Sequence, residues 1–97
     1  MRPYLVRPAA AADIARAYAW YERERDGLGE EFLTEVHAAM RAVVEAPTAY
    51  AVLHRQTRRA LVRRFPYGLF FRLLDDIVVF VACFHTRRRP ESWKGRR

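Results

Sequence analysis

The residues of this chain that could carry chemistry lie in its C-terminal half. They are Arg63, Arg72, His85 and the run Arg87, Arg88 and Arg89. Arginine presents a planar fork of N–H donors matched to two oxygens of a phosphate or carboxylate. Histidine is the side chain whose ordinary pKa lets it pass a proton near neutrality. Brought together, these groups could bind a nucleic-acid phosphate and support proton transfer during backbone cleavage. They could equally grip the acidic residues of a protein partner. Each also has a plainer reading, because strand arginines are commonly solvated and a strand-end histidine commonly caps or packs.

Other chemistries are not spelled out. His37 and His54 have no metal-ligand spacing, and the single cysteine, Cys83, cannot build a zinc cluster. There is no phosphate-binding glycine loop, nucleophile elbow or paired catalytic carboxylate. Neither a cofactor nor a metal is expected. Cys83 reads as a small buried hydrophobe, and one cysteine excludes an internal disulfide and fits a reducing cytoplasm. Residues 1–16 hold no apolar stretch of the signal-peptide kind, and no run approaches the roughly 18 apolar residues of a membrane helix. The expected location is cytoplasmic.

Charge narrows the partners. The chain carries 18 Lys and Arg against 11 Asp and Glu, a formal charge of +7, and Lys94 is the only lysine. A GC-rich coding sequence would explain arginine over lysine but not the net charge. All of the excess falls in residues 55–97, whose only acidic residues are Asp75, Asp76 and Glu91. A positive field on one half of a small protein points to nucleic acid or an acidic protein.

These side chains must be positioned by a single domain, residues 1–97, ending in a basic tail, 87–97. Apolar residues make up 52% of the chain, enough for a packed core rather than disorder. Residues 4–7 read as a short first strand between Pro3 and Pro8. Residues 9–25 are alanine-rich and free of Gly and Pro, a helix with Ile14, Ala17, Tyr18 and Tyr21 on its inner stripe. Trp20 reads as a helix-packing residue rather than a stacking platform. Gly27 and Gly29 interrupt the chain. A second helix, 30–45, carries Phe32, Val36, Ala39, Met40 and Val43 on one face, and Pro47 stops it.

Beyond residue 59 the apolar pattern shortens to strands, 59–65, 69–74 and 77–85, separated by Pro66-Tyr67-Gly68 and Asp75-Asp76. The expected architecture is α+β, in the order β-α-α-β-β-β, with a helical hairpin on one face of a mostly antiparallel sheet. If Asp75-Asp76 is a two-residue loop, alternation assigns the faces. Leu69, Phe71, Leu73, Val78, Phe80, Ala82 and Phe84 fall under the helices. Phe70, Arg72, Leu74, Ile77, Val79, Val81, Cys83 and His85 fall on the other face, with Leu61 and Arg63. A one-residue slip would invert that assignment. The second face is too apolar to stay bare. Trp93 of the tail, a second copy or another protein must cover it.

The strand–helix–helix–three-strand order, the segment Arg63-Arg64-Phe65-Pro66-Tyr67-Gly68-Leu69-Phe70-Phe71-Arg72 and the ending His85-Thr86-Arg87-Arg88-Arg89-Pro90-Glu91-Ser92-Trp93 resemble the RelE/ParE toxin superfamily. Ala12-Asp13-Ile14 and Trp20-Tyr21-Glu22 before Gly27-Leu28-Gly29 agree with it. The resemblance covers nearly the whole chain. It implies a toxin that arrests growth unless a cognate antitoxin binds it in a hetero-oligomer. It implies one of two targets: ribosome-bound mRNA, cleaved by RelE-like members, or DNA gyrase, blocked by ParE-like members. For RNA cleavage the implied set is Arg63, Arg72, His85 and Arg88. The segment after His85 lacks tyrosine, and no lysine pair precedes Arg63, so the ParE-like reading is the expectation. The antitoxin is expected on Phe70, Leu74 and Val79, with Arg87, Arg89 and Trp93 beside them.

Overall fold

Pro8, at the first helical position where no N–H is needed, opens a helix that the alanines propagate. In the computed structural model, which describes residues 2–97, strand β1 (Tyr4–Val6) leads into helix α1 (Pro8–Glu24). Helix α2 (Leu28–Glu45) returns antiparallel to it, followed by a single 3-10 turn at Pro47–Ala49. The two helices meet through Gly27, whose φ of 88° lies in the left-handed region that glycine tolerates. The Glu22 carboxylate accepts hydrogen bonds from the N–H groups of Gly27 and Gly29, both at 2.9 Å. It thereby satisfies donors that the start of α2 would leave free.

The remaining strands are β2 (Val52–His54), β3 (Thr57–Leu61), β4 (Tyr67–Leu74) and β5 (Ile77–His85), and α3 (Glu91–Lys94) is one turn of helix in the tail. The sheet order is β1-β5-β4-β3-β2, with β1 parallel to β5 and the other pairs antiparallel. The α+β class and the helical hairpin on one sheet face stand as expected. The Asp75-Asp76 loop also stands: Leu74 pairs with Ile77, and Asp75 has φ 57°.

Three details differ from the sequence expectation. A fifth strand, β2, adds to the sheet through an Arg55-Gln56 turn in which Arg55 has φ 53°. Next, β3 begins at Thr57 and ends at Leu61, so the hairpin loop is 62–66 and Tyr67 and Gly68 belong to β4. The loop takes this place because Phe65 turns inward. Its ring lies 4.9 Å from Tyr21 and 5.3 Å from Phe32, and Arg64 absorbs the reversal at φ 71°. The Arg64–Glu31 ion pair at 2.8 Å ties the loop to α2.

Last, a β-bulge rewrites the faces of β5. Phe71 pairs with Phe80 and Phe70 with Ala82, which leaves Val81 as the extra residue. Up to Phe80 the expected alternation holds. Past the bulge it inverts, so Cys83 joins Leu69, Phe71, Val78 and Phe80 under the helices. Ala82 and Phe84 move to the outer face with Phe70, Val79 and Val81. Trp93 covers that outer cluster from α3, its ring stacked on Phe70 at 4.7 Å and 22°. The tail is therefore the cover of the apolar second face.

Candidate functional site: basic clefts on opposite faces of the sheet

Both clefts depend on a carboxylate. Asp13, on the buried stripe of α1, is only 3% exposed. Strand β1 ends at Val6, opposite Phe80, so the next stretch of β5 has no strand beside it. Two side chains replace the missing strand. The Asp13 carboxylate accepts from the Cys83 N–H at 3.0 Å, and the Arg96 Nη1 donates to the Val81 carbonyl at 2.9 Å. Arg96 also pairs with Asp13 at 3.0 Å, and Arg16 Nη2 reaches the same carboxylate at 2.6 Å. The buried charge is thus met by two guanidiniums and a backbone donor, as a buried carboxylate requires. This contact fixes the bulge and the tail together.

On the helical side, a cleft of about 540 Å³ opens between α1 and the end of β5, with Arg16, Trp20, Tyr67, His85 and Arg88 on its walls. His85 Nδ1 accepts a hydrogen bond from the Arg87 N–H at 3.1 Å, which puts the proton of the neutral ring on Nε2. Tyr67 stands edge-on to that ring at 5.5 Å. Burial raises the Tyr67 hydroxyl above the ordinary phenol range, with Cys83 adding to the rise and Arg88 opposing it, so Tyr67 remains a donor. Arg88 lies over the Phe84 ring at 4.5 Å. Trp20, which reads from sequence as a packing residue, is half exposed at the rim. Such a cleft suits an anion carried on a flat or apolar body.

On the other face, a cleft of about 290 Å³ is bounded by His54, Arg55, Thr57, Arg72, Lys94 and Arg97. Arg72 donates from Nη2 to the Gln56 side-chain oxygen at 3.1 Å. Its Nε, shielded from solvent, has no hydrogen-bond partner among the described residues.

The structure brings His85 and Arg88 together on the walls of one cleft. It does not bring them to Arg72, which shares the outer face with Phe70 and faces the opposite cleft. Arg63 is exposed in the 62–66 loop and lines neither cleft. Of the expected partner surface, Phe70, Val79 and Trp93 are buried against one another, Leu74 is half-buried, and Arg87 and Arg89 are exposed. Sequence reasoning missed Asp13 and Arg96 as a pair. The available signal was an aspartate three residues before Arg16 on the otherwise apolar inner stripe of the helix. His54 beside Arg72 had no signal without β2. Among the described residues, no group of three His, Cys, Asp or Glu side chains could hold a metal ion. None of their helices is long and apolar enough to cross a membrane.

A helical hairpin packed on a five-stranded, mostly antiparallel sheet is the α+β arrangement of a ParE-like toxin of the RelE/ParE superfamily. A solved structure described as the chromosomal ParDE TA system from P. aeruginosa superposes with a TM-score of 0.78 over 88% of this chain and 96% of that one, at 15% identity. The family profile of the ParE toxin of type II toxin-antitoxin system, parDE, matches residues 4–90, and the chain belongs to that family. Comparison with curated protein sequences gives no significant match.

Proposed function

We propose that this chain arrests growth in the cytoplasm by inhibiting DNA gyrase, and that a cognate antitoxin holds it silent in a hetero-oligomer. Residues 1–97 act as one toxin domain, with 87–97 its basic tail. The observation that carries the gyrase reading is the separation of His85 from Arg72 by the thickness of the sheet. Cleaving one phosphodiester requires the proton-transferring group and the cation at the same phosphate. The set Arg63, Arg72, His85 and Arg88 is divided: Arg88 alone lies beside His85, Arg72 faces the opposite cleft and Arg63 lines neither. A ligand that only binds has no such need, and a surface with two basic clefts suits protein recognition. Charge complementarity favours an acidic antitoxin segment across Arg87 and Arg89. To reach Phe70 and Val79, that segment must lift Trp93 away.

RelE-like mRNA cleavage is the second reading, favoured by one observation: His54 lies in the same cleft as Arg72. Expression from a tight inducible promoter, with growth, cell length and pulse-labelled translation followed in one culture, separates the two. Filamentation with intact early translation is the expected result. Immediate loss of translation would overturn the gyrase reading and make His54 the residue to replace. Normal growth on full expression would remove both.

A further inference from the structure

The outer cleft contains a guanidinium edge with one of its two donors unpaired among the described residues. Nε and Nη2 of Arg72 form the side of the fork that takes two oxygens of one oxyanion. Nη2 is held by the neutral oxygen of Gln56, and Nε by nothing. A charged N–H kept from water without an acceptor is costly, and few such groups persist in folded proteins without a reason. The surroundings state what acceptor would fit. Arg55 projects from the β2–β3 turn, Lys94 and Arg97 come from the tail, and Thr57, 3% exposed, forms part of the wall. No acidic side chain lines the cleft. The Asp13 carboxylate of α1, which pairs with Arg96 of the tail, is already satisfied by Arg16, Arg96 and the Cys83 N–H.

We propose that this cleft binds a phosphate group, gripped side-on by Arg72 with Gln56 displaced, and neutralised by Arg55 and Lys94. Phosphate fits better than a single carboxylate. Cations converge from three separate segments, the β2–β3 turn, β4 and the tail, and a tetrahedral ion has oxygens enough to meet Arg72 on one side and the tail on the other. The proposal concerns binding alone, and it stands whether the cellular target is gyrase or RNA. Because Lys94 belongs to the segment that Trp93 anchors, a bound phosphate joins the tail to the sheet and stabilises the docked tail.

Calorimetric titration of the full chain with tripolyphosphate, inorganic phosphate and a short oligonucleotide tests this. Saturable tripolyphosphate binding is expected, weakened about ten- to hundredfold by Arg72→Gln. Lys94→Ala should weaken it several-fold, while Arg23→Ala, on the exposed end of α1, should leave it unchanged. Lys94 is exposed, so its variant remains informative even where Arg72→Gln lowers stability. Similar affinity per phosphate for the free ions and the oligonucleotide identifies a small phosphorylated ligand. Much tighter oligonucleotide binding, lost in Arg72→Gln, identifies a nucleic-acid backbone. Binding that ignores both Arg72→Gln and Lys94→Ala overturns the proposal. So does tighter binding of a polyglutamate peptide than of either phosphate source, which would assign the cleft to a carboxylate-bearing partner. None of these outcomes depends on growth arrest, so the site can fail while the toxin reading stands, and the reverse.

Discussion

Replacing Asp13 by alanine should cost this fold about 3–4 kcal/mol, most of it from groups left behind rather than from the carboxylate itself. The Cys83 N–H, buried at the bulge, would lose its carboxylate acceptor, which costs about 1–3 kcal/mol. Arg96, whose side chain is 26% exposed, would keep the Val81 carbonyl and the face of Phe84 but lose its charge partner. Breaking a buried pair this way costs about 3–5 kcal/mol, and partial exposure places Arg96 below that range. Arg16 is 69% exposed, so its share is under about 1 kcal/mol. These contributions overlap, because one carboxylate serves all three donors. Against a total stability of about 5–15 kcal/mol, the loss should lower Tm by roughly 15–25 °C. Asp13→Asn keeps an oxygen for the Cys83 N–H and should cost about half as much. Urea and thermal unfolding followed by circular dichroism measure both variants. A double-mutant cycle with Arg96→Ala should return a coupling of about 1–2 kcal/mol. An Asp13→Ala protein melting within about 3 °C of the wild type would show that the bulge and tail hold without this contact.

Cys83 and two glycines supply further tests. Burial pushes the Cys83 thiol up to about 12, with the Asp13 charge adding to the rise, so iodoacetamide should leave the folded protein unmodified and label it on unfolding. The unfolded thiol ionises near 9.0 while the folded one keeps its proton, so this group favours the fold fully below that pH. Its contribution then falls by up to about 1.4 kcal/mol per pH unit until about 12, and Cys83→Ala should flatten the decline in urea midpoints across that window. Gly29→Ala would set a Cβ 2.8 Å from the Tyr18 carbonyl oxygen, a backbone atom of α1, and should destabilise by about 1–3 kcal/mol despite the better helix propensity of alanine. At Gly68 the comparable 2.8 Å contact is with Arg59 Cδ on a flexible side chain, so Gly68→Ala should cost less; the reverse order in paired melts would refute the close-approach argument.

The elements that position the clefts were legible where periodicity was strong. The alanine-rich α1, the apolar stripe of α2 and the Asp75-Asp76 hairpin all follow from residue pattern and turn chemistry. The β2–β3 turn was not legible, because Arg55-Gln56 carries none of the usual turn residues and three-residue β2 is too short to show alternation. The bulge at Val81 was invisible for a different reason. The run Val78-Val79-Phe80-Val81-Ala82-Cys83-Phe84 is apolar at every position, so no polar residue marks where the alternation inverts. That one extra residue moves His85 from the face of Arg72 to the face of Tyr67, and with it the most attractive catalytic set in the sequence dissolves. Local pattern fixes which residues form a strand, and only tertiary contacts such as Asp13 on Cys83 decide where it slips.

The tail links these observations. Residues 87–97 carry Arg88 on the wall of one cleft and Lys94 on the wall of the other, with Trp93 and Arg96 as the anchors between them. One short segment therefore completes both basic surfaces and covers the apolar face beneath. Its own helix is a single turn, too short to persist by propensity, so its position is set by the Trp93–Phe70 stack and the Asp13–Arg96 pair. A partner that displaced Trp93 would uncover Phe70 and Val79, and in the same movement would open both clefts. Binding at the apolar face and loss of the anion sites would then be a single event. An antitoxin acting there would reshape both basic clefts without filling either, because each takes part of its wall from the docked tail.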